Sequence, residues 1–270
     1  MPSHTLNGLD YDVAEYGAGP EAVLLLHGFT GSSASWAPIA ARLARRYRVL
    51  APDLLGHGAT AAPPDPERYR IAHAANDLIT LLDRLGLASV HWVGYSMGAR
   101  LGLYAALHHP ERVRTLTLES GSPGLATAEE RAARVASDAG LADRIERDGL
   151  EAFVAYWEAL PLFASQAQLP ESVRASLHAA RLRNNPLGLA NSLRGMGTGA
   201  QPSGWEALSS FTHSTRLIVG ELDTKFVGIA QAMQARLPQA LTTVVPDVGH
   251  TVHLENASAF LAALVQGFKR

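Results

Sequence analysis

Short apolar runs, each too brief for a helix and bounded by Gly, Pro, Asp or His, govern what this chain can fold into. They lie at Ala22 to Leu26, Tyr47 to Ala51, Val90 to Val93, Val113 to Leu118, Arg216 to Val219 and Leu241 to Val245. Runs of this length without polar alternation read as strands buried on both faces, as in a parallel sheet. Helical periodicity fills several of the gaps, at Trp36 to Arg46, Ile71 to Leu85, Ala99 to His109 and Ile229 to Leu237, and again at Ser258 to Phe268. Strand and helix therefore alternate, which predicts an α/β fold with a mostly parallel central sheet flanked by helices. Upstream, Asn7-Gly8 is the dipeptide favoured by a type I′ turn, and predicts an N-terminal hairpin. The alternation fails between about Ser122 and Leu208, where Thr127 to Ile145 carries helical periodicity behind a Thr127/Glu130 capping box and no strand is evident. A helical cap insertion over 122–207 within a core of 1–121 and 208–270 is the expected organisation. The glycine-rich Gly195 to Gly199 follows no strand and lacks the Lys-Ser/Thr of a phosphate loop.

With 270 residues, 47% of them hydrophobic, the chain can bury the core of one such domain with its insertion. A formal net charge of −2 and the lack of any basic block give no reason to expect nucleic acid or a membrane surface as partner, which leaves a small molecule. There is no cysteine, so disulfides, thiolate zinc sites and a cysteine nucleophile are excluded. The first residues lack the basic start and apolar stretch of a signal peptide, and no run approaches the roughly 20 apolar residues of a membrane span. A cytoplasmic protein is expected.

Gly94-Tyr95-Ser96-Met97-Gly98 follows a strand and opens a helix, the context in which G-x-S-x-G forms a nucleophile elbow. A serine hydroxyl is inert at neutral pH unless a histidine takes its proton and an acid orients that histidine. His250 follows the last strand and Asp223 the strand before it, so the chain order is Ser, Asp, His, with all three at the C-terminal ends of strands. His253 is the rival base, but falls within a predicted helix and reads as a surface or pocket-edge residue. Asp247 is too near His250 to approach its ring from behind. Glu119 ends an earlier strand and could be the acid of a variant triad. The other histidines, His57, His91, His108 and His109 among them, read as structural or solvated. An oxyanion site needs two converging backbone N–H groups, and Met97, after the serine, and Phe29, in the loop His27-Gly28-Phe29, supply candidates. Asp53 and His57 in a Gly/Pro-rich loop read as loop-fixing groups. No metal site and no cofactor is predicted.

"HGFTGS", "PDLLGHG", "GYSMGAR" and "VGH" resemble the α/β-hydrolase superfamily across the core. In the insertion and beyond, "LESGSPGLATAEERAAR", "WEALPLFASQAQLP", "RLRNNPLGLANSLRGMGTGAQPSGW" and "GELDTKF" resemble the 2-succinyl-6-hydroxy-2,4-cyclohexadiene-1-carboxylate synthases of menaquinone biosynthesis. That resemblance implies a cofactor-independent lyase that eliminates pyruvate from a polycarboxylate cyclohexene, 2-succinyl-5-enolpyruvyl-6-hydroxy-3-cyclohexene-1-carboxylate, with Ser96 as a proton acceptor. It implies that Arg100, Arg134 and Arg181 bind carboxylates and that Tyr95 and Trp157 line the pocket; Lys225 is a weaker candidate. Arg134 also stands four residues from both Glu130 and Asp138, so ion pairing on the helix surface competes for it. Where the family elbow often carries a second glycine, this chain has Ala99, a favourable residue at a helix start. The triad alone would also suit a carboxylesterase or thioesterase, and triad plus arginine a C–C bond hydrolase. A non-catalytic receptor is a further alternative.

Overall fold

The computed structural model describes residues 3–268. Its strands are β1 (Ser3–Leu6), β2 (Leu9–Tyr16), β3 (Glu21–Leu26), β4 (Tyr47–Pro52), β5 (Val90–Tyr95), β6 (Val113–Glu119), β7 (Thr215–Gly220) and β8 (Ala240–Val245). Its helices are α1 (Ala37–Leu43), α2 (Ile71–Arg84), α3 (Met97–His108), α4 (Ala128–Glu158), α5 (Glu171–Arg181), α6 (Pro186–Met196), α7 (Thr224–Gln234), α8 (Val252–Glu255) and α9 (Ala257–Phe268). The strands form one eight-stranded sheet in the order β1-β2-β4-β3-β5-β6-β7-β8. The pairs β1/β2 and β2/β4 are antiparallel, and every pair from β4 to β8 is parallel. Asn7 and Gly8 both have positive φ, 47° and 86°, the backbone of a type I′ turn, and join β1 to β2 as expected.

Leu24, Leu26, Trp92 and Leu116 pack one sheet face against α2 and α3, while Val23, Leu25, Val93 and Ile218 pack the other against α1 and α9. Alternate residues of a central strand serve different cores, and the sequence accordingly shows continuous apolar runs. Two helices begin two or more residues earlier than periodicity predicts. Helix α7 starts at Thr224 because the Asp223 carboxylate accepts the Phe226 N–H and caps it; α3 starts at Met97, directly after the turn at Ser96.

Between β6 and β7 the chain carries only helical elements: α4, α5, α6 and 3₁₀ turns at Pro161–Gln168 and Glu206–Ser210. The Thr127/Glu130 capping box is present at the start of α4. The helix runs past Ile145 and breaks at Gly149, whose φ of 83° would strain any other residue. Ala142, Ile145, Phe153, Leu189, Ala190 and Leu193 give this segment a small core of its own, with Phe29 and Trp157 against it. Its two ends meet at a neck, where the Gly204 N–H donates to the Pro123 carbonyl at 2.7 Å and the Trp205 indole N–H to the Gly124 carbonyl at 3.0 Å. Gly195 and Met196 finish α6, so the glycine-rich stretch is a helix end. Among the described residues no helix is long and apolar enough to cross a membrane.

Candidate active site

Ser96 sits between β5 and α3 at φ 50°, ψ −106°, a left-handed conformation held by its surroundings. The flanking glycines permit it. A Cβ on Gly94 would lie 2.4 Å from the Gly98 carbonyl oxygen, and one on Gly98 would lie 2.3 Å from that of Leu26. Both obstacles are backbone, so the turn closes only around glycine. The His250 Nε2 lies 3.1 Å from the Ser96 Oγ, and the His250 Nδ1 lies 2.6 Å from the Asp223 Oδ2. The carboxylate accepts a hydrogen bond from Nδ1–H and so fixes the tautomer, which leaves Nε2 as a base facing the serine hydroxyl. His250 and Asp223 are both buried, and Phe226 packs its ring 4.7 Å from that of His250. Such apolar walls shield the pair from water and strengthen its electrostatics.

Across from the elbow, Phe29 stands in the loop after β3. His27 holds this loop: its Nε2 accepts the Leu54 N–H at 2.9 Å and its Nδ1–H donates to the Gly28 carbonyl at 2.8 Å. Burial lowers the His27 pKa, against the pull of Asp53, and favours the neutral ring that this pattern needs. Among the described residues neither the Phe29 nor the Met97 N–H meets an acceptor. Asp53 accepts the N–H groups of Ser33 at 2.6 Å and Ala59 at 2.8 Å. His57 donates to the Leu55 carbonyl at 3.1 Å, and burial, aided by His27, pushes its pKa down to about 3. Both residues fix their loop.

A cavity of about 620 Å³ opens over Ser96, Met97, Phe29 and His250, between the core and the helical segment. Arg100, Arg134, Tyr95 and Trp157 line it too. Arg100 is one turn along α3 from Ser96, and its Nη1 donates to the Met196 carbonyl at 3.0 Å and to the Gln201 Oε1 at 2.8 Å, both neutral acceptors. Desolvation, with the nearby Arg134 charge, lowers its pKa to about 10, an indication that its charge is poorly compensated. Arg134 pairs with the buried Asp138 at 2.7 Å, at the i, i+4 spacing the sequence allowed, yet still faces the cavity. Glu130 is occupied by the capping box. The buried Trp157 indole N–H has no acceptor among the described residues. The Tyr95 hydroxyl is bonded to the Thr251 hydroxyl at 2.8 Å, and burial raises its pKa above the usual tyrosine value.

Two predicted residues stand apart from this cavity. Asp223 lies behind His250. Arg181 lines a second cavity of about 110 Å³ that shares the walls Phe29, Tyr95 and Phe163, and it pairs with Glu158 at 2.7 Å. His253, expected at the surface or a pocket edge, is not at the surface: it is buried, lines the second cavity, stacks on Trp36 at 4.2 Å, and its Nδ1 lies 2.8 Å from the Glu119 Oε2. The cause is the sheet order, which sets the end of β6 beside the turn that follows His250. Glu119 thus serves His253, and Asp223 is the carboxylate bonded to the His250 ring. Lys225 is exposed at the cavity rim, its ammonium 5.9 Å from the Phe226 ring. Ser120 and Gln201 escape sequence reasoning, because nothing in their flanking residues marks a hydroxyl bonded to the His250 carbonyl or an amide bonded to Arg100.

Residues 21–257 match the family described as alpha/beta hydrolase fold. A Bacillus subtilis (strain 168) protein provisionally named 2-succinyl-6-hydroxy-2,4-cyclohexadiene-1-carboxylate synthase is 48% identical over 255 residues, covering 94% of this chain and 93% of its own. An Enterobacter sp. (strain 638) protein named as the same synthase is 35% identical over 249 residues, 90% of each chain. The solved structure of MenH from S. aureus superposes with a TM-score of 0.91 at 32% identity, covering 96% of this chain and 97% of that one.

Proposed function

The chain belongs to the α/β-hydrolase fold family and, within it, to the 2-succinyl-6-hydroxy-2,4-cyclohexadiene-1-carboxylate synthases, and from that premise we propose that it is the pyruvate-eliminating lyase of menaquinone biosynthesis. The substrate is 2-succinyl-5-enolpyruvyl-6-hydroxy-3-cyclohexene-1-carboxylate. Its names fix the bond changes: a proton leaves C2, next to the succinyl ketone, the 3-ene shifts, and the enolpyruvyl oxygen leaves C5, giving the 2,4-diene and pyruvate. Such a 1,4-elimination needs a base and a stabilised enolate, and no acyl-enzyme. Ser96 is that base. His250, oriented by Asp223, takes the hydroxyl proton as Oγ accepts the one from C2, and returns a proton to the departing enolpyruvate. The N–H groups of Phe29 and Met97 receive the enolate oxygen.

The carboxylates of the substrate call for guanidinium groups, which meet them with matched geometry and charge. Arg100, Arg134 and Arg181 take that role, with Tyr95 and Trp157 against the ring, and residues 122–207 act as the cap that closes over it. The observation that carries the reading is Arg100: a half-buried cation one turn from Ser96, bonded among the described residues only to neutral acceptors, is set up for an anionic ligand. A simple ester gives it no partner. The reaction draws on small soluble metabolites, and a cytoplasmic site accords with a chain free of cysteine.

The test is pyruvate release from the enolpyruvyl substrate against an enzyme-free control, with Ser96→Ala beside the wild type. The variant is expected to lose about 10²–10⁴-fold in kcat, the worth of a positioned general base. A wild type that matches the control but cleaves simple esters would make Ser96 a hydrolase nucleophile instead.

A further inference from the structure

Two consecutive residues at the end of β6, neither of which touches the Ser96 hydroxyl or the His250 ring, are bonded to both of their segments. The Glu119 carbonyl accepts the Ser96 N–H at 2.9 Å, so the elbow is tied to the end of β6. The Ser120 hydroxyl donates to the His250 carbonyl at 2.8 Å. The Glu119 carboxylate turns the other way and accepts the His253 N–H at 2.9 Å, with the His253 ring also on it. Ser96 and His250 lie 154 positions apart in the chain, yet both are referenced to one dipeptide.

Ser120 is the informative member. Its φ is 47°, a conformation glycine adopts freely and serine does not. It is fully buried, and its N–H already donates to the Ile218 carbonyl at 3.0 Å, so the backbone would be held without any side chain. The hydroxyl is the group that glycine could not supply, and it reaches the carbonyl of the histidine itself.

We propose that Glu119 and Ser120 are positioning residues that hold the His250 segment against the Ser96 elbow, so that Nε2 stays within proton-transfer reach of Oγ. The proposal rests on reading Ser96 and His250 as the acting pair. A misplacement of about 1 Å costs on the order of 10²-fold in rate, so even a partial loosening is measurable.

Ser120→Gly separates this role from a structural one, because it removes the hydroxyl while relieving the backbone. We expect Tm to hold or rise, kcat for pyruvate release to fall about tenfold, about 1.4 kcal/mol in the barrier, and KM to stay unchanged. A second readout does not use the lyase substrate. Labelling of Ser96 by a fluorophosphonate, in which Oγ displaces fluoride from phosphorus as His250 takes the proton, is followed by intact mass and should slow by a similar factor. Glu119→Gln keeps an acceptor for the His253 N–H and is expected to lose less than Ser120→Gly in both assays. If Ser120→Gly keeps both rates within twofold, or loses rate only in proportion to its unfolded fraction, the proposal is overturned. If the wild type labels but releases no pyruvate, the lyase reading fails while the labelling ratio still decides the positioning.

Discussion

Replacing Arg100 with methionine should leave the protein about as stable and make the enzyme much worse. At pH 7 this arginine is charged in both the folded and the unfolded chain. The fold penalises the charged form relative to the unfolded chain, so the charge costs stability at every pH below about 10. A depression from 12.5 to about 10 amounts to about 3 kcal/mol of unfavourable charge burial. Methionine has similar reach and no charge, and relieves that cost. It forfeits the bonds to the Met196 carbonyl and the Gln201 amide, which are charge-assisted and worth about 1.5 kcal/mol each. The two terms roughly cancel, so Tm should stay within about 2 °C of the wild type for a chain of this length. With substrate bound the account reverses. A guanidinium paired with a carboxylate contributes about 3 kcal/mol, and its loss should lower kcat/KM by about 10²-fold. Arg100→Lys should recover part of this, since a point charge lacks the planar fork. Scanning calorimetry and the pyruvate assay on the same preparations give both numbers. A Tm several degrees below wild type, or a kcat/KM within fivefold of it, would refute the reasoning.

Gly98→Ala places a methyl 2.3 Å from the Leu26 carbonyl oxygen in a central strand, where relief means moving the elbow or β3; about 3 kcal/mol and at least about 5 °C in Tm should be lost, and a melting curve within 1 °C of wild type would contradict the steric account. His57 stays neutral in the fold down to about pH 3, whereas in the unfolded chain it binds a proton near pH 6.5. It therefore withdraws stability as pH falls below about 6.5, about 2 kcal/mol by pH 5, and His57→Gln should lessen the drop in unfolding free energy between pH 7 and pH 5, measured by urea denaturation, by that amount.

The parts of the fold and site that were legible in the sequence are those decided by near neighbours or by chain order. The elbow is local sterics, five residues between a strand and a helix. Asp223 and His250 follow from the rule that groups gather at the C-terminal ends of parallel strands. The pairing of His253 with Glu119 was not legible, because it joins positions 134 apart whose proximity depends on which strands are neighbours. Helical periodicity gave the apolar face of the helical segment but not which cavity each face meets, so Arg181 could not be told from Arg134. The start of α7 was hidden for another reason: its apolar rhythm begins at Ile229, but the helix is opened by the Asp223 carboxylate, a group read first as a catalytic acid. One side chain meets two demands there, and a pattern search assigns it to one.

The neck at Pro123, Gly124, Gly204 and Trp205 bears on how such an enzyme can change over generations. Chain that leaves a scaffold and returns to it at one pinned point can lengthen without disturbing the strands on either side. Each doubling of such an excursion adds only about 0.6 kcal/mol of closure entropy. Deletions and insertions beyond the neck are therefore cheap compared with any edit to β6 or β7. New ligand preferences can arise there while the Ser96 elbow, His250 and the loop after β3 are inherited unaltered.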